Sequence, residues 1–208
     1  MSRKRKSLAA VIICAAAAVF LYPRIAERVE LNRRHDVCNE YLASADISLG
    51  FSVEFDITWE KEVYGREDYM VREIDPQNAG EEDLRILRQI VDSLEYNTDD
   101  RFNKDTESRD ACGEDAMRIK VACRNGGHIL LTWSYGGDSC MLTACDEDDT
   151  WLACAAFKVS AEASDALRAR GGLPPIPTLE QIIEAGRRKK NEEAVEPKTI
   201  EPTWYDKD

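Results

Sequence analysis

The sequence is poor in the residues that carry catalysis at neutral pH. Its 208 residues include two histidines, His35 and His128. A Ser–His–Asp set would have to use one of them. Seven cysteines are present, but no Cys-x-x-Cys pair occurs. Neither a zinc ribbon nor a thioredoxin-type redox motif is therefore written here. Basic residues are scarce beyond the N-terminus. Of 28 Lys and Arg, eight lie in residues 1–34, against two of the 40 Asp and Glu. The remaining 20 basic and 38 acidic residues give 35–208 a net charge of −18. A field of that sign repels nucleic acid and anionic headgroups, which excludes a general nucleic-acid role.

What is present begins with MSRKRKSLAAVIICAAAAVFLYPR. Arg3, Lys4, Arg5 and Lys6 precede an uncharged run from Ser7 to Tyr22. Those residues span roughly 24 Å as a helix, slightly short of a ~30 Å hydrocarbon core. Snorkelling by Arg24 would let Ile25 and Ala26 extend the span. Bulky Val19, Phe20, Leu21 and Tyr22 follow the alanines, which suits an uncleaved signal anchor better than a cleaved signal peptide. Secretion after cleavage is the alternative. Cys14 follows Val11, Ile12 and Ile13 rather than a small residue, so it reads as an apolar membrane residue and not as a lipid attachment site. Lys and Arg are balanced across the segment, four on each side. The α-amino group tips the balance, so the short tail is expected inside and the bulk of the chain outside.

Five regions follow: a basic tail and anchor over 1–26, a helical juxtamembrane stalk over 27–46, an α+β domain over 47–170, a Pro-containing linker and short helix over 171–192, and a disordered acidic tail over 193–208. Within the domain, Phe51, Val53, Phe55, Ile57 and Trp59 alternate with polar residues and predict a strand. A weaker strand is expected around Tyr69–Ile74. Leu84, Leu87, Ile90, Val91 and Leu94 then predict an amphipathic helix over 81–95, with Glu82, Asp83, Arg85, Arg88 and Asp92 on its outer face. Residues 97–115 read as a long exposed loop. Met117–Cys123, Ile129–Ser134, Ser139–Cys145 and Thr150–Phe157 predict a β-meander, separated by RNGGH, YGGD and DEDD.

The apolar pattern fixes the first turn of that meander. Met117, Ile119, Val121 and Cys123 must share a face with Ile129, Leu131 and Trp133. A two-residue Asn125-Gly126 turn would set them on opposite faces. An odd loop of three or five residues, with a glycine bulge, restores agreement and turns His128 away from the core. The same register pairs Leu131 with Leu142 and Trp133 with Cys140, and brings Trp151, Ala153, Ala155 and Phe157 to the core face. Cys123 and Cys140 then lie at opposite ends of the sheet, too far apart to bridge. If a disulfide forms, Cys112 is the best partner for Cys140. Ser160 is expected to cap a helix over 161–170, stopped by Gly171-Gly172, and Thr178 to open a short helix with the stripe Leu179, Ile182 and Ile183.

The motifs that suggest chemistry fail on inspection. Thr132-Trp133-Ser134-Tyr135-Gly136 lacks the first glycine of a nucleophile elbow, and a hairpin follows it where a helix is needed. Ser134 and His128 lie six residues apart on one strand, roughly 20 Å. Asp146-Glu147-Asp148-Asp149 has Trp151 and Phe157 where a calcium loop needs Gly and Glu. No catalytic residue, metal or cofactor is assigned.

The expected fold is α+β, an antiparallel meander packed against an amphipathic helix behind one N-terminal membrane helix. The expected function is non-enzymatic: a membrane-anchored extracytoplasmic domain, held in the membrane through 7–26, that binds an envelope protein or surface ligand. Its candidate binding surface is the outer face of the meander, His128, Leu130, Thr132, Met141, Thr143 and Leu152, more apolar than a free sheet face requires. Cover by the stalk or by the Leu179–Ile183 helix is the competing reading of that face. The alternative functions are an extracytoplasmic hydrolase using Ser134 or a Cys, and a cytoplasm-facing accessory protein with reduced thiols.

Overall fold

The computed structural model describes the backbone over 3–66, 70–97 and 116–195, and the side chains of 21–57, 61–66, 70–97 and 116–191. The chain is α+β. Its elements are α1 (Arg3–Ser44), a 3-10 turn (Ile47–Leu49), β1 (Phe51–Phe55), α2 (Thr58–Tyr64), α3 (Glu81–Asp92), β2 (Glu95–Tyr96), β3 (Met117–Ala122), β4 (His128–Trp133), β5 (Ser139–Cys145), β6 (Trp151–Lys158), α4 (Ala161–Arg170) and α5 (Leu179–Val195). The six strands form one antiparallel sheet in the order β1-β3-β4-β5-β6-β2.

The turn after β3 has the odd parity that the apolar pattern demands. Val121 pairs with Ile129 and Ala122 with His128. The intervening loop closes through Cys123 N–H donating to the Gly127 carbonyl at 2.9 Å and Gly126 N–H to the Cys123 carbonyl at 3.1 Å. Gly126 takes φ +93°, a conformation costly for any residue with a Cβ. Gly127 is glycine for space, because a Cβ there would strike the Cys145 carbonyl and the Tyr41 ring. Leu131 pairs with Leu142, Leu142 with Ala155 and Cys140 with Phe157, as the continued register requires. Ile119, Ile129, Leu131, Trp133, Leu142 and Phe157 are all fully buried.

Helices cover this inner face. Ile86, Leu87 and Ile90 of α3 and Ala163 and Leu167 of α4 join the same buried cluster. So do the last turns of α1. Val37, Cys38, Tyr41 and Leu42 recur at helical spacing and pack inward, followed by Ala45 just past the helix end, with Cys38 fully buried and its thiol donating to the Leu142 carbonyl at 3.6 Å. His35 stacks on Tyr96 with ring centroids 4.0 Å apart. The stretch expected to be a stalk is helical, but its C-terminal half belongs to the core. Among the described residues no helix is long and apolar enough to cross a membrane. The side chains of residues 1–20, which hold most of the expected anchor, lie outside that description.

Several local expectations are corrected. β1 stops at Phe55, and Trp59 falls in α2. The strand expected near Tyr69–Ile74 is a single bridge from Val53 to Ile74, with 67–69 outside the described residues. The short helix after the linker is α5, 17 residues long. Trp151 pairs with Cys145 across a register shift in β6 and is 41% exposed instead of facing the core. The extra residue of a bulge re-aims the side chains before it. The loop expected over 97–115 lies outside the described residues beyond Asn97, as does the expected tail beyond Val195.

Asp83 is a further correction: expected outside, it is fully buried. It stands three and four residues before Ile86 and Leu87, on the stripe they form with Ile90. Its carboxylate accepts from the Gly80 N–H at 2.9 Å, Arg72 at 2.9 Å and Arg170 at 2.6 Å. Those bonds cap α3 and tie it to the end of α4. Burial alone would raise the Asp83 pKa, but the bonds from Arg170, Gly80 and Arg72 outweigh it and hold the carboxyl at about 2. Asp83→Ala is expected to cost about 2–3 kcal/mol, below the range for a fully buried pair because both arginines are partly exposed. The folded pKa is depressed, so the contribution is complete above about pH 4 and fades as pH falls. In denaturant titrations the gap between wild type and Asp83→Asn shrinks from pH 4 toward pH 2. A constant gap contradicts this assignment.

Candidate functional site

Alternation in β3, β4 and β5 sends the even-numbered residues of β3 and β4 to the outer face of the sheet. Cross-strand pairing assembles the expected surface there. His128 faces Cys145, Leu130 faces Thr143, and Thr132 faces Met141. All of these but Cys145 are partly exposed. Thr143 also faces Cys154 of β6, and its hydroxyl donates to the Cys154 sulfur at 3.4 Å. Leu152 sits at the register shift, 37% exposed and without a Cα partner in β5, at the margin of the patch. Neither element expected to cover this face does so. The end of α1 packs on the inner face, and α5 packs against α2, where Lys189 pairs with Glu62 at 3.3 Å and Arg188 donates to the Val63 carbonyl.

One end of the patch is electrostatically built. His128 Nε2 lies 3.5 Å from Asp149 Oδ1, which also accepts Lys120 Nζ at 3.1 Å. Asp149 reaches that position from the turn after β5, with φ +60°, a region Asp tolerates better than most residues. The turn is closed by Asp146, whose carboxylate accepts from Asp148 N–H at 3.0 Å and Thr150 N–H at 2.8 Å. The acidic run is thus an Asx turn that delivers one carboxylate to the strand face. Burial, then the Lys120 charge, lower the His128 pKa, while Asp149 and Asp146 oppose them. Lys120 and Asp149 were not recognisable as neighbours of His128 before the register was known. The signal is that Lys120, paired with Leu130, lies diagonally across from His128, and that a four-residue acidic turn follows Cys145.

Ser134 stands just past the far end of β4 from His128, so the two do not meet. Among the described residues, no three His, Cys, Asp or Glu side chains gather as a metal site. Cys38, Cys123, Cys140, Cys145 and Cys154 are free thiols, and all five are buried. Burial pushes Cys38 up to about 12 and raises Cys123 and Cys140 as well, which disfavours the thiolate at neutral pH. Cys112 lies outside the described residues, and with it the expected bridge to Cys140. No family model matches the chain, and no curated protein or solved structure matches it either.

The His128 assignment carries a pH signature. Its folded pKa lies below the ordinary value of about 6.5, so the unfolded chain takes up the proton first. Its stabilising contribution is present above about pH 6.5 and is lost as pH falls through the folded value. Melting temperatures from pH 7 to pH 5 should fall more steeply in wild type than in His128→Gln. Parallel profiles would remove His128 from the account.

Proposed function

We propose that this chain is a non-enzymatic, membrane-tethered extracytoplasmic protein whose outer sheet face binds a protein partner or surface ligand. The observation that supports it is an apolar strip left partly exposed among the described residues. Helices cover the inner face, while Leu130 and Met141 stay partly exposed on the other. An apolar strip flanked by polar Thr132 and Thr143 and ending in the neutral-leaning His128 has the composition of a recognition surface. The tether is supported by the sequence alone, through Arg3–Lys6 and the run Ser7–Tyr22. Leu130→Glu with Met141→Glu should leave the fold intact, because both positions face outward, and should weaken capture of envelope proteins by at least tenfold relative to wild type. Retained capture by the folded double variant contradicts the surface.

The five free thiols favour a second reading, a cytoplasm-facing protein in a reducing compartment. A reporter fused after Asp208 separates the two. Activity of a reporter that matures only outside the cytoplasm supports the first reading, and activity of a cytoplasmic reporter supports the second.

A further inference from the structure

α5 leaves one amphipathic face open. At about 100° per residue, Leu179, Ile183, Arg187 and Lys190 fall within about 80° of one another around the helix. Leu179 and Ile183 are 48% and 46% exposed. Arg187 and Lys190 are exposed as well, and neither has an ion pair or side-chain hydrogen bond among the described residues. Ala185 falls on the opposite side, buried where α5 meets α2, and so does Arg188, which donates to the Val63 carbonyl. Arg187–Lys190 is also the longest basic run in 35–208. In a body of net charge −18 it is a local exception, and screening over about 10 Å lets it act as one.

The fold sets this face at the end of the sheet nearest the N-terminal segment. His35 stacks on Tyr96, which pairs with Phe157, whereas the Tyr41 carbonyl accepts from the Cys123 thiol at 3.4 Å. α1 therefore meets the sheet at its Phe157 end and leaves it at its Cys123 end. The Phe157 end also holds the β4–β5 turn, where Gly136 N–H donates to the Pro177 carbonyl at 2.8 Å just before α5. Phe55, which ends β1 shortly before α2, lies at that end too. His35 stands roughly 20 Å along α1 from Tyr22, a distance comparable to the roughly 25 Å length of α5. Pro23 has no N–H to bond the carbonyl of residue 19, which makes it the point where α1 bends most easily.

Exposed apolar side chains beside unpaired cations, on the side toward the anchor, match a boundary of hydrocarbon and negative charge. We propose that α5 lies against the anionic phospholipid surface of the membrane that holds residues 7–26, with Leu179 and Ile183 at the headgroup–acyl boundary and Arg187 and Lys190 on lipid phosphates. Two apolar residues bind weakly by themselves. The tether, on whose reading this inference rests, supplies the effective concentration at which weak contact suffices. A symmetric contact with a second copy fits less well, because it sets one basic run against another.

The test uses the full chain in lipid nanodiscs, with a photoreactive benzoylphenylalanine in place of Ile183, or in place of Trp151 at the Cys123 end as a control. In discs with about 30% phosphatidylglycerol, illumination should give lipid adducts at 183 and none at 151. Adducts at 183 should fall at least about fivefold in phosphatidylcholine discs, at about 0.5 M salt, and in Arg187→Glu or Lys190→Glu. Arg124→Glu, the same charge reversal at the other end of the sheet, should label as wild type. Flotation with phosphatidylcholine vesicles reports the tether separately. A chain that floats but gives no lipid adducts at 183 overturns the docking alone, and a chain that does not float overturns the tether and the docking with it. Equal labelling in phosphatidylcholine discs, equal loss in Arg124→Glu, or adducts to a second copy of the chain also overturn the docking.

Discussion

The parity of the Cys123–Gly127 turn is the constraint on which the rest of the sheet depends. β3, β4 and β5 each carry one buried row, β6 is buried on both faces over Ala153–Phe157, and one residue more or fewer in the turn would invert β4 against β3. With the observed pairing, Ile119, Leu131, Leu142 and Ala155 run across four strands as a continuous buried line. That line is the floor on which α1, α3 and α4 rest. The same parity delivers His128, Leu130, Thr132, Met141 and Thr143 to the other side as a unit. Core and candidate surface are two faces of one register, and glycine at 126 and 127 permits it through φ at one position and space at the other.

Burial on the inner face then forces the polar exceptions. Asp83 is held ionised only because Gly80, Arg72 and Arg170 surround it. Arg168 is buried as well, with Nε donating to the Pro174 carbonyl at 2.9 Å and Nη1 to the Ala116 carbonyl. Burial lowers its pKa to about 10, with the Asp56 charge opposing, which still leaves it cationic at neutral pH. Together these residues fasten α4 and the linker to the rim of the sheet. A long charged side chain in such a position trades desolvation for directional hydrogen bonds to carbonyls that would otherwise be orphaned.

Period-2 alternation in residues 117–157 was sufficient to read four strands, their order and the register of β3, β4 and β5. The Ser160-capped helix α4 was likewise legible from its cap, and the helix expected over 81–95 was legible from its stripe, although it ends at Asp92 and Glu95 begins the unexpected strand β2. What escaped was tertiary. Asp83 satisfies the inward spacing, but its charge argues for solvent until two distant arginines are known to converge on it. Trp151 fits the core alternation, and only the pairing shift in β6 shows that it is turned out. Cys38 and Tyr41 lie on a helical stripe with Val37 and Leu42, but reading 27–46 as a stalk gave that stripe no sheet to pack on. At the candidate site the strand residues were legible. The Lys120–Asp149 bracket was not, because it joins segments 29 residues apart.

The central claim is that one register sends Leu131 and Leu142 to the buried face of the sheet and Leu130, Thr132, Met141 and Thr143 to the partly exposed one. It is tested most directly by single cysteines at 130, 131, 132, 141, 142 and 143, alkylated in the native full chain and mapped by mass spectrometry. Rapid labelling at 130, 132, 141 and 143, with protection at 131 and 142, is the predicted alternation. Uniform protection along both strands, or the opposite alternation, would contradict it.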